Sequence, residues 1–164
     1  MNAALPHVVT SSQLPAWRPM READLASVAA LEEDAHAAPW THANFHDALA
    51  AGYSAMVGEI DGVVVAYGVM MLAPGEAQLL NLTVARGLRR RGIGRSLLRR
   101  FLADAVRLGA EQCFLEVRAS NEGAIALYSA EGFMPVARRI SYYPGVGTGE
   151  REDALVLRRP LRQI

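Results

Sequence analysis

The sequence RRRGIG at residues 89–94 lies between a predicted strand, residues 77–84, and a long predicted amphipathic helix. Alternate glycines, Gly92 and Gly94, let the backbone turn sharply and approach a ligand closely. N–H groups at the start of a helix point outward, and the helix dipole favours negative charge there. The pattern therefore predicts a phosphate-binding turn. The simpler interpretation is an ordinary helix start beside solvated arginines.

Three phosphate-binding motifs compete for this turn. A Walker loop requires a lysine, and all 17 basic side chains of the chain are arginines. A dinucleotide-binding turn requires a third glycine where Leu97 stands, and a predicted antiparallel hairpin precedes this turn. The third pattern, [QR]-x-x-G-x-[GA], describes the pyrophosphate loop of acetyltransferases and fits. It is short enough to recur by chance.

The elements around the turn are predicted in the order β-α-α-β-β-β-α-β-α-β-β. The predicted strands are residues 17–20, 53–60, 63–72, 77–84, 113–117, 133–142 and 154–157. The first predicted helix follows Asp24 as its N-cap, and the second spans residues 41–50. The third runs from the glycine turn to Gly109, and the fourth runs from Asn121 to Gly132. The third helix has an apolar stripe of Leu97, Leu98, Phe101, Leu102, Ala105 and Leu108. Hairpin strands followed by a βαβ crossover predict an α/β domain with a mixed sheet.

Length and composition narrow the class of protein. The first 15 residues predict a flexible arm, followed by a single domain at residues 16–164. Acidic and basic side chains number 17 each, which argues against a nucleic-acid surface. The longest apolar run, residues 63–72, is too short to span a bilayer, so we expect a cytoplasmic protein without a membrane partner. Cys113 is the single cysteine, and the histidines lack ligand spacing, so no metal is predicted.

One charged residue interrupts the apolar strand predicted at residues 113–117. Glu116 must either face a polar cavity or have a dedicated partner. A carboxylate in a cleft with apolar neighbours suits a general base. The simpler interpretation is an ion pair with Arg118, two residues further along the same strand face.

Three nearby side chains can serve either structure or function. Asn121 is a typical N-cap, and at the mouth of a helix it would also lie near a cofactor. Tyr128 lies two turns into that helix, where most tyrosines are packing residues. Cys113 lies on the strand face opposite Glu116, so we expect a buried structural thiol and not a nucleophile.

Together these motifs resemble the GCN5-related N-acetyltransferase (GNAT) superfamily and, within it, the ribosomal-protein-alanine N-acetyltransferases, the RimI type. The resemblance extends over nearly the whole chain after the arm. The matching pieces are residues 36–40 (HAAPW), 81–84 (NLTV), 89–95 (RRRGIGR), 115–121 (LEVRASN), 124–128 (AIALY), 141–144 (SYYP) and 151–154 (REDA). Ala38 departs from the family pattern, which often has an aromatic residue before Pro-Trp, and this loosens the expected substrate wall.

The resemblance implies a GNAT fold, in which a mixed, mostly antiparallel seven-stranded sheet is flanked by about four helices. It implies acetyl-CoA as the co-substrate and no metal. The implied cofactor-binding residues are Leu82, Thr83, Val84, Arg90, Arg91, Gly92, Ile93, Gly94, Arg95 and Asn121. The implied catalytic residues are Glu116 as proton acceptor and Tyr128 as proton donor.

The implied acceptor is the N-terminal amine, that of alanine, of a small-subunit ribosomal protein, which attacks directly in a ternary complex. An α-amine with a pKa of about 8 is roughly a tenth neutral at pH 7 and needs only modest help from a base. Trp40, Tyr142 and Tyr143 are candidates for the acceptor groove, with packing within the sheet as the alternative. We expect a monomer or a weak dimer.

Other functions remain open at this point. The same fold can acetylate lysine side chains or a small-molecule amine, which would need carboxylates near the acceptor. The candidate carboxylates are Glu32, Glu33, Asp34, Glu150, Glu152 and Asp153. A non-catalytic acyl-CoA-binding module has no need of both Glu116 and Tyr128. A nucleic-acid binder is disfavoured by the zero net charge and the absence of aromatic residues among the arginines.

Overall fold

The computed structural model describes residues 13–147 and 149–161. The predicted arm, residues 1–15, lies outside the described residues except for its last three. The division into an arm and one domain at 16–164 stays a prediction. No helix in the described ranges is long and apolar enough to cross a membrane.

Seven strands and four α-helices follow one another in the predicted order within the described residues. The strands are β1 (Ala16–Pro19), β2 (Ser54–Ile60), β3 (Val63–Ala73), β4 (Glu76–Val84), β5 (Gln112–Arg118), β6 (Met134–Tyr143) and β7 (Glu152–Pro160). The helices are α1 (Leu25–Ala35), α2 (His42–Ala50), α3 (Ile93–Arg107) and α4 (Glu122–Ala130). Short 3-10 turns, Glu22–Asp24 and Arg86–Leu88, precede α1 and α3.

All seven strands form one sheet in the order β1-β2-β3-β4-β5-β7-β6. The strands β4 and β5 pair in parallel, and the other described pairs are antiparallel. The predicted fold class, a mixed and mostly antiparallel sheet flanked by helices, is confirmed. One apolar core joins α1 and α2 to the sheet, and a second core joins α3 and α4 to it.

The tight hairpin between β2 and β3 follows from its two turn residues. Asp61 and Gly62 have φ angles of 51° and 77°. A two-residue type I′ turn needs positive φ at both positions, and Asp-Gly supplies them at little cost. The two turn residues therefore set the first pairs of the hairpin, Ile60 with Val63 and Glu59 with Val64, before a β-bulge shifts the register at Gly58.

Helix α3 packs on the sheet through its predicted apolar stripe. The buried members are Leu97, Leu98, Phe101, Leu102 and Ala105. Leu108 was predicted to belong to the stripe, but it is the C-cap of α3 and is 57% exposed. That prediction is wrong because the helix ends at Arg107, before its periodicity reaches Leu108. Gly68 in β3 permits the close approach, since a Cβ there would lie 2.6 Å from the Phe101 ring.

Asp24 stands at the predicted N-cap of α1, but its side chain makes no capping hydrogen bond. Its carboxylate accepts hydrogen bonds at 2.6 and 2.7 Å from the guanidinium of Arg18 and at 2.7 Å from the N–H of Arg21. The hydrogen bond from Arg18 holds the pKa of Asp24 below its usual range. The carboxylate therefore binds the guanidinium of Arg18 on β1 and does not cap α1, because a charge-assisted hydrogen bond is the stronger one.

The parallel strands β4 and β5 separate partway along their length. Their pairing ends at Leu79 and Leu115. The β3–β4 register then skips Leu80, a β-bulge of the kind that bends a strand away from its neighbour. Beyond the bulge β4 continues to Val84 beside β3, and β5 continues to Arg118 beside β7. The space between residues 80–84 and residues 116–118 is hereafter the β4–β5 gap.

Candidate active site

The glycine turn enters α3 through left-handed backbone conformations. Arg90 has a φ of 62° and Gly92, the N-cap, a φ of 80°. The first helical hydrogen bond runs from the N–H of Ser96 to the carbonyl of Gly92, at 3.0 Å. The N–H groups of residues 93–95 therefore belong to the first turn, where a helix offers them no acceptor of its own. They suit a bound anion.

The turn lies against the end of β4 and against α4. A Cβ placed on Gly94 would be 3.5 Å from Leu127 and 3.7 Å from both Leu82 and Val84. The side chains of Leu82 and Val84 thus face the turn, and the peptide backbone of residues 82–84 lies beside the β4–β5 gap. The arrangement fits a ligand with a phosphate group at the turn and an elongated arm running into the gap.

The arginines around the turn are not equivalent. Arg90 and Arg91 are exposed, and neither forms an ion pair within the described residues, whereas Arg95 does. Arg89 donates to the carbonyl of Val84 at 3.2 Å. Arg95 was predicted to surround the pyrophosphate, but its side chain binds Glu131 at 3.0 Å, together with Arg99 at 3.1 Å. The role of Arg95 at the pyrophosphate stays a prediction: its side chain, 49% exposed, pairs with Glu131, and its backbone N–H lies in the first turn of α3.

Glu116 lies on the β5 face that α3 and α4 leave uncovered. Alternation along β5 buries Cys113, Leu115 and Val117 and leaves Phe114 and Glu116 half-buried, as predicted. Glu116 lines a cavity of about 340 Å³ on this face. The other lining side chains include Met71, Gln78, Phe114, Arg139 and Val156.

The partner of Glu116 is not the one that the strand pattern suggested. Its carboxylate pairs with Arg139 of β6 at 2.9 Å, whereas Arg118 pairs with Glu152 at 3.2 Å. The alternative interpretation, an ion pair between Glu116 and Arg118, is therefore wrong. Other strands offer each side chain a better-placed partner than the one two residues along its own strand: adjacent β7 supplies Glu152 to Arg118, and β6, beyond β7, supplies Arg139 to Glu116. Tyr142 also donates to Glu116, and this bond is the first cause of a raised Tyr142 pKa.

The Tyr142–Tyr143 pair is held by a distortion of β6. Residues 140–142 stand opposite the single residue Asp153 of β7. Asp153 accepts hydrogen bonds from the N–H of Ser141 at 2.8 Å and from Arg138 at 2.7 Å. Arg151 donates to the carbonyls of Ser141 and Tyr142, both at 2.8 Å. The 151–154 motif thus acts by fixing the aromatic pair, whose rings meet edge to face at 5.0 Å.

Tyr128 and Tyr143 are electrostatically connected. Tyr128 is buried in the core, 5.8 Å from the Phe133 ring, and burial raises its pKa, with smaller contributions from Cys113 and Tyr143. Burial, followed by Glu116, raises the pKa of Tyr143 to about 12. Tyr143 therefore lies within electrostatic range of both predicted catalytic side chains. Both tyrosine hydroxyls keep their protons at neutral pH.

The structural roles predicted for Asn121 and Cys113 are confirmed. Asn121 caps α4 by accepting a hydrogen bond from the N–H of Ala124 at 3.2 Å. Cys113 is buried, and desolvation raises the pKa of its thiol to about 11. A thiol with that pKa is a poor nucleophile at neutral pH.

Trp40 lies apart from the tyrosine pair. It packs on Phe45 at 5.2 Å and lines a separate cavity of about 380 Å³ with Tyr53 and residues of α2. Its side chain thus belongs to the α1–α2 face, whereas Tyr142 and Tyr143 belong to β6. The structure brings Glu116, Arg139 and the tyrosines together, and it leaves Trp40 in a different cavity.

Sequence reasoning overlooked a buried polar network beside the β4–β5 gap. Its members are Glu32, His36, Tyr67, Asn81 and Thr83. Glu32 is only 2% exposed. The signal that could have found it is the position of Glu32 on the apolar face of α1, four residues after Val28 and one after Leu31.

The sequence model of the acetyltransferase (GNAT) family matches residues 17–133. The chain belongs to this family and is an acetyl-CoA-dependent N-acetyltransferase. It is similar to the [ribosomal protein bS18]-alanine N-acetyltransferase of Escherichia coli K12, with 35% identity over 138 residues, 84% of this chain and 92% of that protein. A putative enzyme of the same name from Bacillus subtilis is 32% identical over 87% of this chain and 93% of its own length.

The fold is likewise similar to that of a solved relative. The crystal structure of the ribosomal-protein-S18-alanine N-acetyltransferase from Escherichia coli superposes with a TM-score of 0.84 at 32% identity. The superposition covers 92% of this chain and 96% of that one. The resemblance noted from the motifs is thereby confirmed at the level of the family and of its ribosomal-protein branch.

Proposed function

We propose that this enzyme transfers the acetyl group of acetyl-CoA to the N-terminal alanine amine of the small-subunit ribosomal protein bS18. The support for this acceptor is the likeness to the Escherichia coli enzyme that bears this activity in its name, which extends over 92% of that protein. The support for the chemistry is the β4–β5 gap, which has the glycine turn at one side and Glu116 at the other. A ribosomal acceptor agrees with the cytoplasmic location expected from the sequence.

The cofactor would bind along one side of the gap. The N–H groups of residues 93–95, with Arg90 and Arg91, would hold the diphosphate. The backbone of Leu82, Thr83 and Val84 would hold the pantetheine arm and the thioester, and Asn121 would contact the arm from α4. A backbone N–H from Leu82–Val84 would stabilise the oxyanion as it develops. A protein of the same fold was crystallised with acetyl-CoA.

Glu116 would accept the proton of the attacking amine, directly or through a water molecule. The incoming α-ammonium is a cation, so it can take the place of Arg139 beside the carboxylate. The Glu116–Arg139 pair is open to solvent on the arginine side, where the side chain is 56% exposed. Exchange of one cation for another costs little at such a site.

Direct attack in a ternary complex would follow, with no covalent enzyme intermediate. Cys113 is unsuited to carry an acetyl group because its thiol is buried and its pKa is raised. Tyr128 would hold its proton at the hydroxyl and share it with the departing sulfur. Its burial keeps that proton in place until then.

The acceptor peptide would enter over the uncovered sheet face. Tyr142 and Tyr143 would form one wall, and Trp40 in the α1–α2 region would form a more distant one. Tyr142 is 42% exposed and its ring also lies beside Arg139, at 5.3 Å. A side chain so placed can contact a peptide whose amine reaches Glu116. We expect the enzyme to act on this peptide as a monomer or weak dimer.

The proposal is tested with acetyl-CoA and a synthetic peptide that carries the N-terminal sequence of bS18 from the same organism. We expect one acetyl group on the α-amine, located by mass spectrometry. The same peptide with a formylated N-terminus and an internal lysine is the control for lysine acetylation, and spermidine is the control for small-molecule amines. Acetylation of the lysine or of spermidine in preference to the α-amine would refute the proposed acceptor.

A further inference from the structure

One carboxylate beside the gap collects hydrogen bonds from three elements. Glu32 lies on the inner side of α1 and is 2% exposed. Its Oε2 accepts from the hydroxyl of Tyr67 in β3 at 2.5 Å and from the side-chain amide of Asn81 in β4 at 3.1 Å. Its Oε1 accepts from the backbone N–H of Trp40 in the α1–α2 loop at 3.2 Å.

Three hydrogen bonds of this network converge on Glu32. A carboxylate only accepts, so Asn81 must turn its NH₂ to Glu32 and its oxygen to Thr83. The hydroxyl of Thr83 donates to that oxygen at 2.8 Å. His36 Nε2 lies 3.0 Å from the same hydroxyl, which also contacts the hydroxyl of Tyr67. The bonds from Tyr67, Asn81 and the N–H of Trp40 all end on Glu32.

The donors of this network are locked in their roles by burial. Tyr67 is fully buried, and burial, followed by the hydrogen bond to Glu32, raises its pKa. It therefore stays protonated and can only donate to the carboxylate. Thr83 is 4% exposed. Water therefore has little access to replace a lost partner, and a buried group without a partner is costly.

The position of the network explains what it can do. Asn81 and Thr83 belong to the part of β4 that has parted from β5 at Leu79. This segment keeps its β3 partner, and no strand among the described residues pairs with it on the gap side. Side-chain bonds from Asn81 and Thr83 to α1 hold the segment on its other face, opposite the glycine turn.

We propose that Glu32 is a positioning residue that sets the distance between the acceptor-side loop and the strand that holds the thioester. One oxygen fixes the loop at Trp40, and the other fixes β4 at Asn81. The inference depends on the proposed placement of the thioester at Leu82–Val84. A shift of about 1 Å in such a strand can slow a reaction about 100-fold.

The test is Glu32→Gln. An amide has one oxygen and an NH₂ group, so it cannot accept from all three donors. We expect kcat to fall about 10- to 100-fold and the peptide KM to rise. The Kd of acetyl-CoA should rise by a much smaller factor than kcat falls, because the glycine turn would still hold the diphosphate and only the thioester end would lie on the loosened strand. Amide hydrogen exchange should quicken in residues 81–84 and at Trp40.

The matched control is Asp24→Asn, which alters another nearly buried carboxylate, 8% exposed, whose partners Arg18 and Arg21 lie away from the gap. We expect a lower Tm, the wild-type kcat and unchanged exchange at residues 81–84. If Glu32→Gln does not fold, Tyr67→Phe removes one donor and keeps the ring that packs on Phe45 at 5.7 Å. It should lower kcat by a smaller factor.

The inference is overturned if Glu32→Gln keeps the wild-type kcat, or if it weakens acetyl-CoA binding as much as it slows turnover. Equal exchange in wild type and Glu32→Gln would also overturn it. The acceptor is tested separately. If wild type acetylates a different amine, the bS18 proposal fails, while the ratio of variant to wild-type kcat on that amine still measures the effect of Glu32.

Discussion

At single residues, the environment decides which role a side chain can take. Glu116 and Arg118 are both charged residues of β5, yet their partners lie on different strands. Arg139 binds Glu116, and Glu152 binds Arg118. Glu116 lines a cavity of about 340 Å³, whereas Arg118 is held by Glu152 and lies over the Tyr143 ring, 4.5 Å from its centroid. The position of Glu116 beside a cavity supports its proposed role as proton acceptor.

We predict that Glu116→Gln lowers kcat about 100- to 1,000-fold, the range expected when a general base is lost. The loss should be greatest at low pH, where fewer acceptor amines are neutral without help. The measurement is the pH–rate profile of peptide acetylation. Glu59→Gln, on β2 and paired with Arg18, is the control and should keep the wild-type profile. An unaltered profile in Glu116→Gln would remove Glu116 as the base.

At single elements, backbone conformation and local clasps shape the site. The turn before α3 needs a positive φ at Gly92, and β6 needs one at Ser141, where φ is 51°. The first is supplied by a glycine. The second is imposed on a serine by hydrogen bonds from the 151–154 motif. Both distortions adjoin candidate site residues, so the backbone of each element is irregular where ligand contacts are expected.

Gly92→Ala should weaken acetyl-CoA binding and lower stability by about 1–2 kcal/mol, because an alanine at a φ of 80° is strained. A Cβ at Gly92 would meet nothing within 4 Å, so the effect comes from the backbone and not from a clash. Gly52→Ala is a matched control with a φ of 77° and the same open space, after α2. It should lower Tm similarly and leave the acetyl-CoA Kd at the wild-type value. Calorimetric titration distinguishes the two variants.

Glu152 joins β7 to the turn before α4 and makes stability depend on pH. Hydrogen bonds from Ser120, followed by that from Arg118, hold the pKa of Glu152 below its ordinary value. A carboxyl group with a lowered pKa in the folded state stabilises the fold above its unfolded pKa, and this stabilisation is lost as pH falls through the folded value. Glu152→Gln should therefore have a lower Tm than wild type at pH 7. The difference should shrink below pH 4.5 in thermal melts, and a difference independent of pH would contradict this role.

In the whole molecule, the two cores meet across one sheet whose middle is partly unpaired. Both cores contribute residues next to the β4–β5 gap: Leu79, Leu115 and Tyr128 from one, and Tyr67 and Leu80 from the other. The gap is thus held open by packing on both faces. We therefore expect that disruption of either core abolishes activity even when the candidate catalytic residues are unchanged.

Cys113 provides a measure of the integrity of the whole fold. It is 1% exposed and its thiol pKa is raised to about 11, so the native protein should react slowly with iodoacetamide at pH 8. Alkylation should reach completion only in denaturant. Native enzyme treated with the reagent should keep its acetylation rate. Rapid alkylation with loss of activity would contradict the structural role assigned to this thiol.

Local sequence patterns predicted most of the fold and the structural setting of several candidate site residues. The glycine turn, the Asp-Gly hairpin, the cap at Asn121 and the alternation that exposes Glu116 are set by neighbours within a few residues, so periodicity and turn chemistry suffice to predict them. The family motifs, which are also short, indicated the acetyltransferase class that the comparisons confirmed.

Only the tertiary structure decided which distant side chains meet. Arg139 on β6 reaches Glu116 on β5 across the intervening strand β7, Glu131 pairs with Arg95, and Glu32 joins a loop to β4. Likewise, the point at which the pairing of β4 with β5 ends cannot be predicted from the sequence of either strand alone. These features depend on strand order and on the length of each paired register. Both depend on packing between segments that are far apart in the chain, so no local sequence pattern identifies the partner.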